Sequence, residues 1–376
     1  MIRCLHLADL HLGWTPQFLG DNRTGIRQKE RDALLQKAVD YALNPASRID
    51  LVLIAGDLFE SHRPDPSLVE EVLRQLGRLE RAGILVVTVP GNHDEISYHD
   101  SVYRLRGDSW PGLLVRNPMP ELVRSADIRG VRVHIYSLAY TGGLTRVSEL
   151  EDLPRASEPG LHVGVFHGSL DWNTGDRSLP IRSQALERAG YDYVALGHIH
   201  QHHETRVGKG AAVYPGAIEY KGFADPGVGY FTVAQLDGGR ITIETPKAEV
   251  RKHVAHDVDV SAARSRNELV QSCCRLSDPE ALVRITLKGA PPFTIDPEAL
   301  KAALQEQFFH VEVEDETDVL GADLVRTYDS EPTIRGCFVR RMARRIDAAT
   351  TDSERRLLQL ALRKGVAAFE RGGEGR

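Results

Sequence analysis

Five short polar motifs, each just after an apolar run, are the feature of this 376-residue chain that most constrains its fold. The runs are short and rich in β-branched residues, which is typical of buried strands. Polar residues at the carboxyl ends of successive strands meet at one edge of a sheet, where open α/β sheets bind ligands. The motifs are Asp9-Leu10-His11, Gly56-Asp57, Gly91-Asn92-His93-Asp94, His167-Gly168 and Gly197-His198-Ile199-His200.

The side chains in these motifs are typical metal ligands. Asp, Asn and His hold hard-to-borderline divalent metals such as Mn²⁺, Fe²⁺ and Zn²⁺. Two such ions about 3.5–4 Å apart can share a bridging hydroxide that attacks phosphorus in line, while the ions neutralise the developing charge. Sharing requires a bridging carboxylate, and Asp57 is the candidate because its motif lies centrally among the five. One motif alone would be a weak signal, but all five in this order predict a two-metal phosphoesterase.

The order of these motifs, D-x-H, GD, GNHD, H and GHxH, resembles the calcineurin-like metallophosphoesterase superfamily over roughly residues 1–245. Within it, the segments 7–13, 55–59 and 89–94 are similar to the SbcD-like nucleases. Those nucleases belong with the nuclease subunits of the archaeal and eukaryotic double-strand-break repair complexes. The resemblance implies an α/β fold, a four-layer sandwich of two mixed sheets flanked by helices, and a Mn²⁺-dependent exo- or endonuclease that acts in DNA repair.

The resemblance also implies a ligand set for two Mn²⁺ ions, with Fe²⁺ or Zn²⁺ as other candidates. One ion would take Asp9, His11, Asp57 and His200, and the second would take Asp57, Asn92, His167 and His198. His93 directly follows a ligand, so we expect it to face the substrate, where it could stabilise the phosphorane oxygens or protonate the leaving alkoxide. We expect Asp94 to orient His93 through a hydrogen bond.

Glu60 departs from the pattern of the resembling family. Many archaeal and eukaryotic relatives carry a histidine at this place, and that histidine is linked with exonuclease action. A carboxylate there would repel a phosphate backbone unless it is turned away or paired, and Arg63 is the candidate partner. The departure leaves the metal centre intact and bears on the balance between exonuclease and endonuclease activity.

Periodicity and the resemblance together divide the chain into three predicted parts. These are a metallophosphoesterase nuclease domain over 1–247, a small α+β capping domain over 248–325 and a helical ATPase-binding tail over 326–376. In the first part, 28–43 and 66–82 are predicted helices, the second opened by Pro66. In the second part, strands at 254–260, 283–287 and 311–313 alternate with helices at 262–276 and 297–308, which predicts a βαβ-αβ module.

The tail combines two amphipathic helical patterns with a basic charge. Residues 326–376 carry a net charge of +5, which leaves −11 for the rest of a chain whose total is −6. We expect that two such helices cannot bury both apolar stripes on each other, so they should dock on a partner. In the resembling family, a C-terminal helical pair binds the coiled coil of an SMC-like ATPase, which implies an SbcC-like partner. A hairpin folded back on its own domain, or a homodimer, is the alternative.

Composition limits the remaining choices. The acidic total argues mildly against a protein that coats DNA by itself. No apolar stretch approaches 18 residues, so we expect no membrane span, and a strand pattern beginning at Ile2 leaves no room for a signal peptide. Four cysteines without disulfide or zinc spacing favour the reducing cytoplasm.

Three functional classes are compatible with the motifs. A nuclease that hydrolyses DNA is favoured by the predicted cap and basic tail. A metallophosphatase or phosphodiesterase acting on a small molecule or a phosphoprotein could use the same metal centre. A regulatory subunit without metal is disfavoured, because every ligand position of the motif series is filled.

Overall fold

The computed structural model describes residues 1–141, 150, 152–171, 178–225, 227–291, 293, 295–317, 328 and 331–373. Predictions that fall on 318–327, 329–330 and 374–376, at the end of the predicted cap and in the predicted tail, lie outside the described residues. The chain divides into two compact units, Met1–Val250 and Arg251–Arg376. The further division of the second unit into a cap and a tail, and the roles assigned to both, stay predictions.

The described residues form seventeen strands, numbered here in chain order. They are β1 (Ile2–Leu7), β2 (Leu51–Ala55), β3 (Leu85–Val89), β4 (Leu113–Leu114), β5 (Glu121–Ile128), β6 (Val131–Ser137), β7 (Leu161–His167), β8 (Ser169–Leu170), β9 (Pro180–Ile181), β10 (Tyr193–Gly197), β11 (His203–Val207), β12 (Gly210–Tyr214), β13 (Thr232–Asp237), β14 (Arg240–Glu244), β15 (His253–Asp259), β16 (Asp278–Lys288) and β17 (Phe308–Asp315).

Nine α-helices lie in the same described part of the chain. They are α1 (Asp21–Asp32), α2 (Leu34–Leu43), α3 (Pro66–Arg81), α4 (Val102–Arg106), α5 (Ser183–Ala189), α6 (Arg266–Cys274), α7 (Pro297–Leu304), α8 (Ile334–Asp347) and α9 (Asp352–Gly373). Two short 3₁₀ turns, Gln17–Leu19 and Gly107–Ser109, accompany them.

Two six-stranded mixed sheets form the centre of the first unit. Their strand orders are β14-β13-β1-β2-β3-β4 and β11-β12-β10-β7-β6-β5. The sheets face each other through β2, β3, β7 and β10, and they share a core in which Leu53, Val165 and Ala195 are buried. Helices flank both sheets. At the first sheet, α3 lies against β3 and α2 packs on α3, and at the second sheet α5 lies against β11. This confirms the predicted α/β class with two mixed sheets flanked by helices.

Most predicted elements of the first unit form, with one clear difference. The predicted helix over 66–82 is observed as α3, where Asp65 caps the helix by accepting from the amide of Ser67 and Pro66 takes the first turn. The predicted helix over 28–43 is instead two helices, α1 and α2, separated at Ala33. The helix begins earlier than predicted, at Asp21. Residues 21–27 are mostly polar and carry no apolar periodicity, so a sequence pattern does not reveal this first part of the helix.

The second unit contains the predicted βαβ-αβ order. Its three strands form one parallel sheet, β15-β16-β17, with α6 and α7 as the crossover helices. Asp296 accepts from two amides at the start of α7, as expected for a residue that precedes Pro297 at a helix start. A separate core, including Cys273, Ile285 and Leu300, lies between this sheet and its helices.

The helices α8 and α9 pack against each other, which corrects one prediction. Val339 of α8 and Leu362 and Val366 of α9 are buried in a shared cluster, so the two apolar stripes do bury each other. The hairpin is closed tightly enough that a Cβ at Gly365 would meet the ring of Phe338. The large apolar side chains that stay exposed in the described part of this hairpin are Ile334, Leu357 and Leu360. In the described part of the chain, no helix is both long and apolar enough to cross a bilayer.

Candidate metal centre

The predicted ligands lie at the carboxyl ends of five strands. Asp9 and His11 follow β1, Asp57 follows β2 and Asn92 follows β3, three strands that are neighbours in the first sheet. His167 ends β7, and His198 and His200 follow β10, its parallel neighbour in the second sheet. Because the two sheets face each other, the seven side chains converge from both. The predicted meeting point is therefore formed by two sheet edges and not by one.

The loops at this place are held in an uncommon backbone conformation. Seven described non-glycine residues have a positive φ, and four of them are predicted ligands: Asp9 (54°), His11 (47°), Asp57 (49°) and His198 (95°). A positive φ is uncommon in residues other than glycine. Residues with this strained backbone cluster at functional sites, where the surrounding structure must hold them in place. Backbone hydrogen bonds supply this support, because the amides of Asp9 and His11 donate to the carbonyls of Gly56 and Asp57.

Glycines give the ligands the space to approach one another. A Cβ on Gly91 would stand 2.2 Å from Oδ1 of Asp57, and one on Gly197 would stand 1.9 Å from the carbonyl oxygen of Ala55. Neither of these two glycines has a positive φ, so close packing and not a special turn requires them. Gly56 has both reasons, a φ of 89° and a Cβ position 2.2 Å from Nδ1 of His167.

The first predicted ligand set brings two imidazoles together. Nε2 of His11 lies 3.1 Å from Nε2 of His200, and Nε2 of His200 lies 3.9 Å from a carboxylate oxygen of Asp9. Nδ1 of His11 faces Glu60 at 2.8 Å and Nδ1 of His200 faces Asp225 at 2.5 Å. Since a carboxylate only accepts, Nδ1 of His200 carries the proton, and the nearby Glu60 carboxylate favours the same tautomer of His11, so the two Nε2 atoms face each other. A cation between them is the natural complement, so this donor set fits a metal ion.

The second predicted set has the same character. Nδ1 of His167 donates to the carbonyl oxygen of Ala55 at 2.9 Å, which directs Nε2 into the site. Nε2 of His167 and Nδ1 of His198 both lie 2.9 Å from Oδ1 of Asn92. Oδ2 of Asp57 lies 3.4 Å from Nε2 of His167 and 3.8 Å from Nε2 of His11. Asp57 therefore stands between the two sets, where a bridging ligand would have to be.

Buried carboxylates set the electrostatics of the centre. Burial raises the pKa of Asp9, whereas for Asp57 the effect of burial is outweighed by His167 and His11, which hold its pKa well below its usual range. Burial alone would lower the pKa of His167, but Asp57 and Asp9 raise it to about 9. Burial lowers the pKa of His11 and of His198 to about 4, so both are neutral and able to coordinate. The raised pKa of His167 shows that the carboxylates of Asp57 and Asp9 favour positive charge at this place.

His93 lies at the wall of an open cavity of about 550 Å³ that also exposes Asn92 and His198. Its side chain is 38% exposed, in contrast to the buried His11 and His167. Its Nδ1 lies 3.2 Å from the carbonyl oxygen of Glu60, so that nitrogen donates. One nitrogen of His93 is also close enough to His11 and Asp57 for the three to hold a metal. The geometry thus allows two roles for His93, a substrate contact or a ligand.

The prediction that Asp94 forms a hydrogen bond with His93 is wrong. Among the described residues, the buried Asp94 carboxylate accepts from the amides of Gly91 and Phe59 and from the hydroxyl of Tyr103. These bonds tie the loop after β3 to the loop after β2. Asp94 therefore fixes the backbone that carries Asn92 and His93, and its adjacency in sequence does not turn it toward the imidazole.

Glu60 is paired, but its partner is not Arg63. Its carboxylate lies 2.7 Å from Nζ of Lys221 and 2.8 Å from Nδ1 of His11, whereas Arg63 is exposed beside Asp100. Burial would raise the pKa of Glu60, but His11 and Lys221 lower it to about 2. The carboxylate is thus turned onto a ligand and neutralised by a lysine, which removes the expected repulsion toward a phosphate backbone.

Asp225 is a site residue that the motifs did not reveal. Its carboxylate holds Nδ1 of His200, and such outer partners orient a ligand histidine. We expect Asp225→Asn to weaken Mn²⁺ binding by about 10- to 100-fold, measured by calorimetry on the full chain. Asp127→Asn, which changes an exposed carboxylate on β5, is the matched control. Equal Mn²⁺ affinity in both variants would contradict this role for Asp225.

The family model for the calcineurin-like phosphoesterases matches residues 2–202, more than half of the chain. The chain belongs to this family and is a metal-dependent phosphodiesterase-type hydrolase, whose family binds two divalent metal ions.

Among similar proteins, the uncharacterized metallophosphoesterase YhaO of Bacillus subtilis is 28% identical over 331 residues, covering 81% of this chain and 77% of that protein. The DNA double-strand break repair protein Mre11 of Methanopyrus kandleri is 27% identical over 344 residues, covering 84% of this chain and 73% of that protein. Mre11 of Archaeoglobus fulgidus is 29% identical over 234 residues, covering 57% of this chain and 49% of that protein.

Proposed function

We propose that this chain is a Mn²⁺-dependent DNA nuclease, with exo- or endonuclease activity, that acts in DNA repair as an SbcD-like subunit. One observation carries the proposal: seven Asp, Asn and His side chains converge from two sheets beside an open cavity, with Asp57 between two donor sets. Asp9, His11, Asp57 and His200 would hold one ion, and Asp57, Asn92, His167 and His198 the other. Similarity to repair proteins named Mre11 supports DNA as the substrate.

The bound ions would supply Lewis-acid stabilisation of the charge that develops on the phosphate. The residues of the chain do the rest. Asp57 lies beside a histidine of each donor set. Asp225 orients His200 by a hydrogen bond to Nδ1, and the Glu60 carboxylate lies beside Nδ1 of His11. Because Nδ1 of His93 donates to the Glu60 carbonyl, its Nε2 is the nitrogen available to a phosphoryl oxygen or, when protonated, to the leaving oxygen.

The substrate class is tested with purified protein and Mn²⁺ on end-labelled single- and double-stranded DNA, beside a phosphomonoester and a phosphopeptide. We expect cleavage of DNA and little release of phosphate from the other two. Asp57→Asn is the control for a contaminating nuclease. Hydrolysis of the phosphomonoester or phosphopeptide with intact DNA would instead establish a phosphatase.

The proposal extends to a partner and a compartment. The predicted partner is an SMC-like, SbcC-like ATPase bound through the helical pair α8 and α9, and residues 248–325 would form the cap for DNA. The predicted compartment is the cytoplasm, in keeping with four free cysteines. The support for a partner is local: Leu357 and Leu360, three residues apart on α9, are 67% and 45% exposed. Exposed large apolar side chains that lie together are typical of binding sites.

We expect Leu357→Glu with Leu360→Glu to abolish co-purification with a co-expressed SbcC-like ATPase. The charges would lie on the exposed face and leave the hairpin's own cluster intact. Leu362→Glu would be a poor test, because Leu362 is buried between α8 and α9 and its charge would unfold the hairpin. Leu122→Glu, on the exposed edge of β5, is the control. A complex that survives the double change would exclude this face as the ATPase contact.

A further inference from the structure

An aromatic pair forms part of the wall of the cavity that predicted ligands also line. The rings of His62 and Tyr98 are stacked, with centroids 4.0 Å apart and an interplanar angle of 22°. Both line the same cavity as Asn92, His93 and His198. They come from the loops that also carry Asp57 and Asn92, so the sequence places an aromatic ring a few residues beyond a predicted ligand in each case.

The pair is exposed and at the same time fixed. Tyr98 is 42% exposed, although large aromatic side chains are usually buried more deeply. The backbone carbonyl of His62 accepts from the amide of Val102 at 2.8 Å, and that of Tyr98 accepts from the amide of Ser101 at 3.1 Å. Both donors lie at the start of α4, so one helix end fixes the backbone that carries both rings. A rigid exposed aromatic surface loses little conformational entropy when it binds a flat ligand.

A nucleotide joins a flat ring system to a phosphate, so it suits both the aromatic pair and the predicted metal centre. Base–aromatic stacking is tolerant of sequence, because every base has a π face, and it is a recurrent way of binding single strands. A base inside a duplex is already stacked, so only an unpaired base reaches such a surface without the cost of unpairing. A phosphoserine or phosphothreonine peptide, or an aliphatic phosphate ester, has no ring to stack on it.

We infer that the His62–Tyr98 pair is a nucleobase-binding platform that holds an unpaired base next to the phosphate to be cleaved. This rests on the proposed nuclease function and names its substrate form: single-stranded or frayed DNA is preferred to the interior of a duplex. The bound ions would hold the phosphate at the predicted ligands, and the platform would hold the adjoining base elsewhere on the wall of the same cavity.

Binding is tested first, because it does not require cleavage. A single-stranded oligonucleotide with one 2-aminopurine is titrated with wild type and with Tyr98→Ala, Tyr98→Phe and Leu122→Ala. Stacking quenches the fluorescence of 2-aminopurine, so wild type and Tyr98→Phe should quench it. Tyr98→Ala should bind about 5- to 150-fold more weakly, the equivalent of about 1–3 kcal/mol. Leu122, similarly exposed on the edge strand β5, is the matched control and should behave as wild type.

Cleavage separates the platform from the nuclease function itself. The kcat/KM of Tyr98→Ala should fall on single-stranded DNA, and the difference from wild type should disappear on the same oligonucleotide with an abasic residue beside the scissile phosphate. A wild type that cleaves single strands while Tyr98→Ala cleaves and binds them equally well would overturn the platform alone. A wild type that neither binds nor cleaves DNA would overturn the proposed function and the platform with it. Equal unfolding midpoints by calorimetry establish that the variants fold.

Discussion

Replacement of His93 by alanine is expected to lower the rate of phosphodiester hydrolysis by about 10²- to 10³-fold, the usual effect of losing one transition-state donor. The two metal ions should stay bound, because His93 lies outside both predicted ligand sets. The partly exposed ring at the cavity wall, held by the carbonyl of Glu60, is placed for contact with a substrate. The rate is measured on labelled DNA, and the metal content by mass spectrometry of the same sample.

Metal content decides between the two roles that the geometry allows for His93. His203→Ala, which alters an exposed histidine on the edge strand β11, is the control and should keep both activity and metal. Loss of one ion in His93→Ala would mean that His93 coordinates with His11 and Asp57, a grouping whose atoms are close enough. The assignment of His93 to substrate chemistry would then be wrong.

Asp57→Asn is expected to impair binding of both ions and to reduce hydrolysis to background. Its carboxylate faces His11 of one set and His167 of the other, and an amide cannot bridge two cations as a carboxylate does. The loss of affinity should exceed the roughly 10- to 100-fold that removal of an outer hydrogen-bond partner causes. The loop should keep its shape, because the asparagine retains the Oδ1 that accepts from the amide of His93. Calorimetric titration with Mn²⁺ measures both sites.

Asn92→Ala is the comparison that distinguishes a ligand shared by both ions from a ligand of one ion. The side-chain oxygen of Asn92 lies 2.9 Å from His167 and from His198, both of the second predicted set, so its loss should weaken mainly one ion. If Asp57→Asn also loses a single ion and keeps the other at full affinity, the bridging role fails.

The buried strands of the fold could be predicted from the sequence, and the outer strands of the second sheet could not. The strands β2, β7 and β10 are buried along their whole length, so they appear in the sequence as continuous apolar runs. The sequence patterns do not predict the strands β5 and β11. They are the two outer strands of the second sheet and are largely exposed, so their sequences are polar and carry no clear alternation.

The side chains around the predicted ligands were harder to predict than the ligands. Glu60 and Lys221 are 161 residues apart, and their pairing depends on a fold that no local pattern specifies. Asp225 holds His200 from a separate loop, and nothing in its neighbourhood marks it as a site residue. Asp94 shows the opposite error, because adjacency to His93 suggested a contact whereas the tight loop turns the carboxylate toward Gly91 and Phe59.

The most direct test of the two-metal site is anomalous scattering from crystals of the full chain grown with Mn²⁺. We predict two peaks about 3.5–4 Å apart, the usual spacing of a two-metal site. One should lie beside Asp9, His11 and His200, the other beside Asn92, His167 and His198, with Asp57 between them. A single peak, or two peaks of which neither contacts Asp57, would contradict the account.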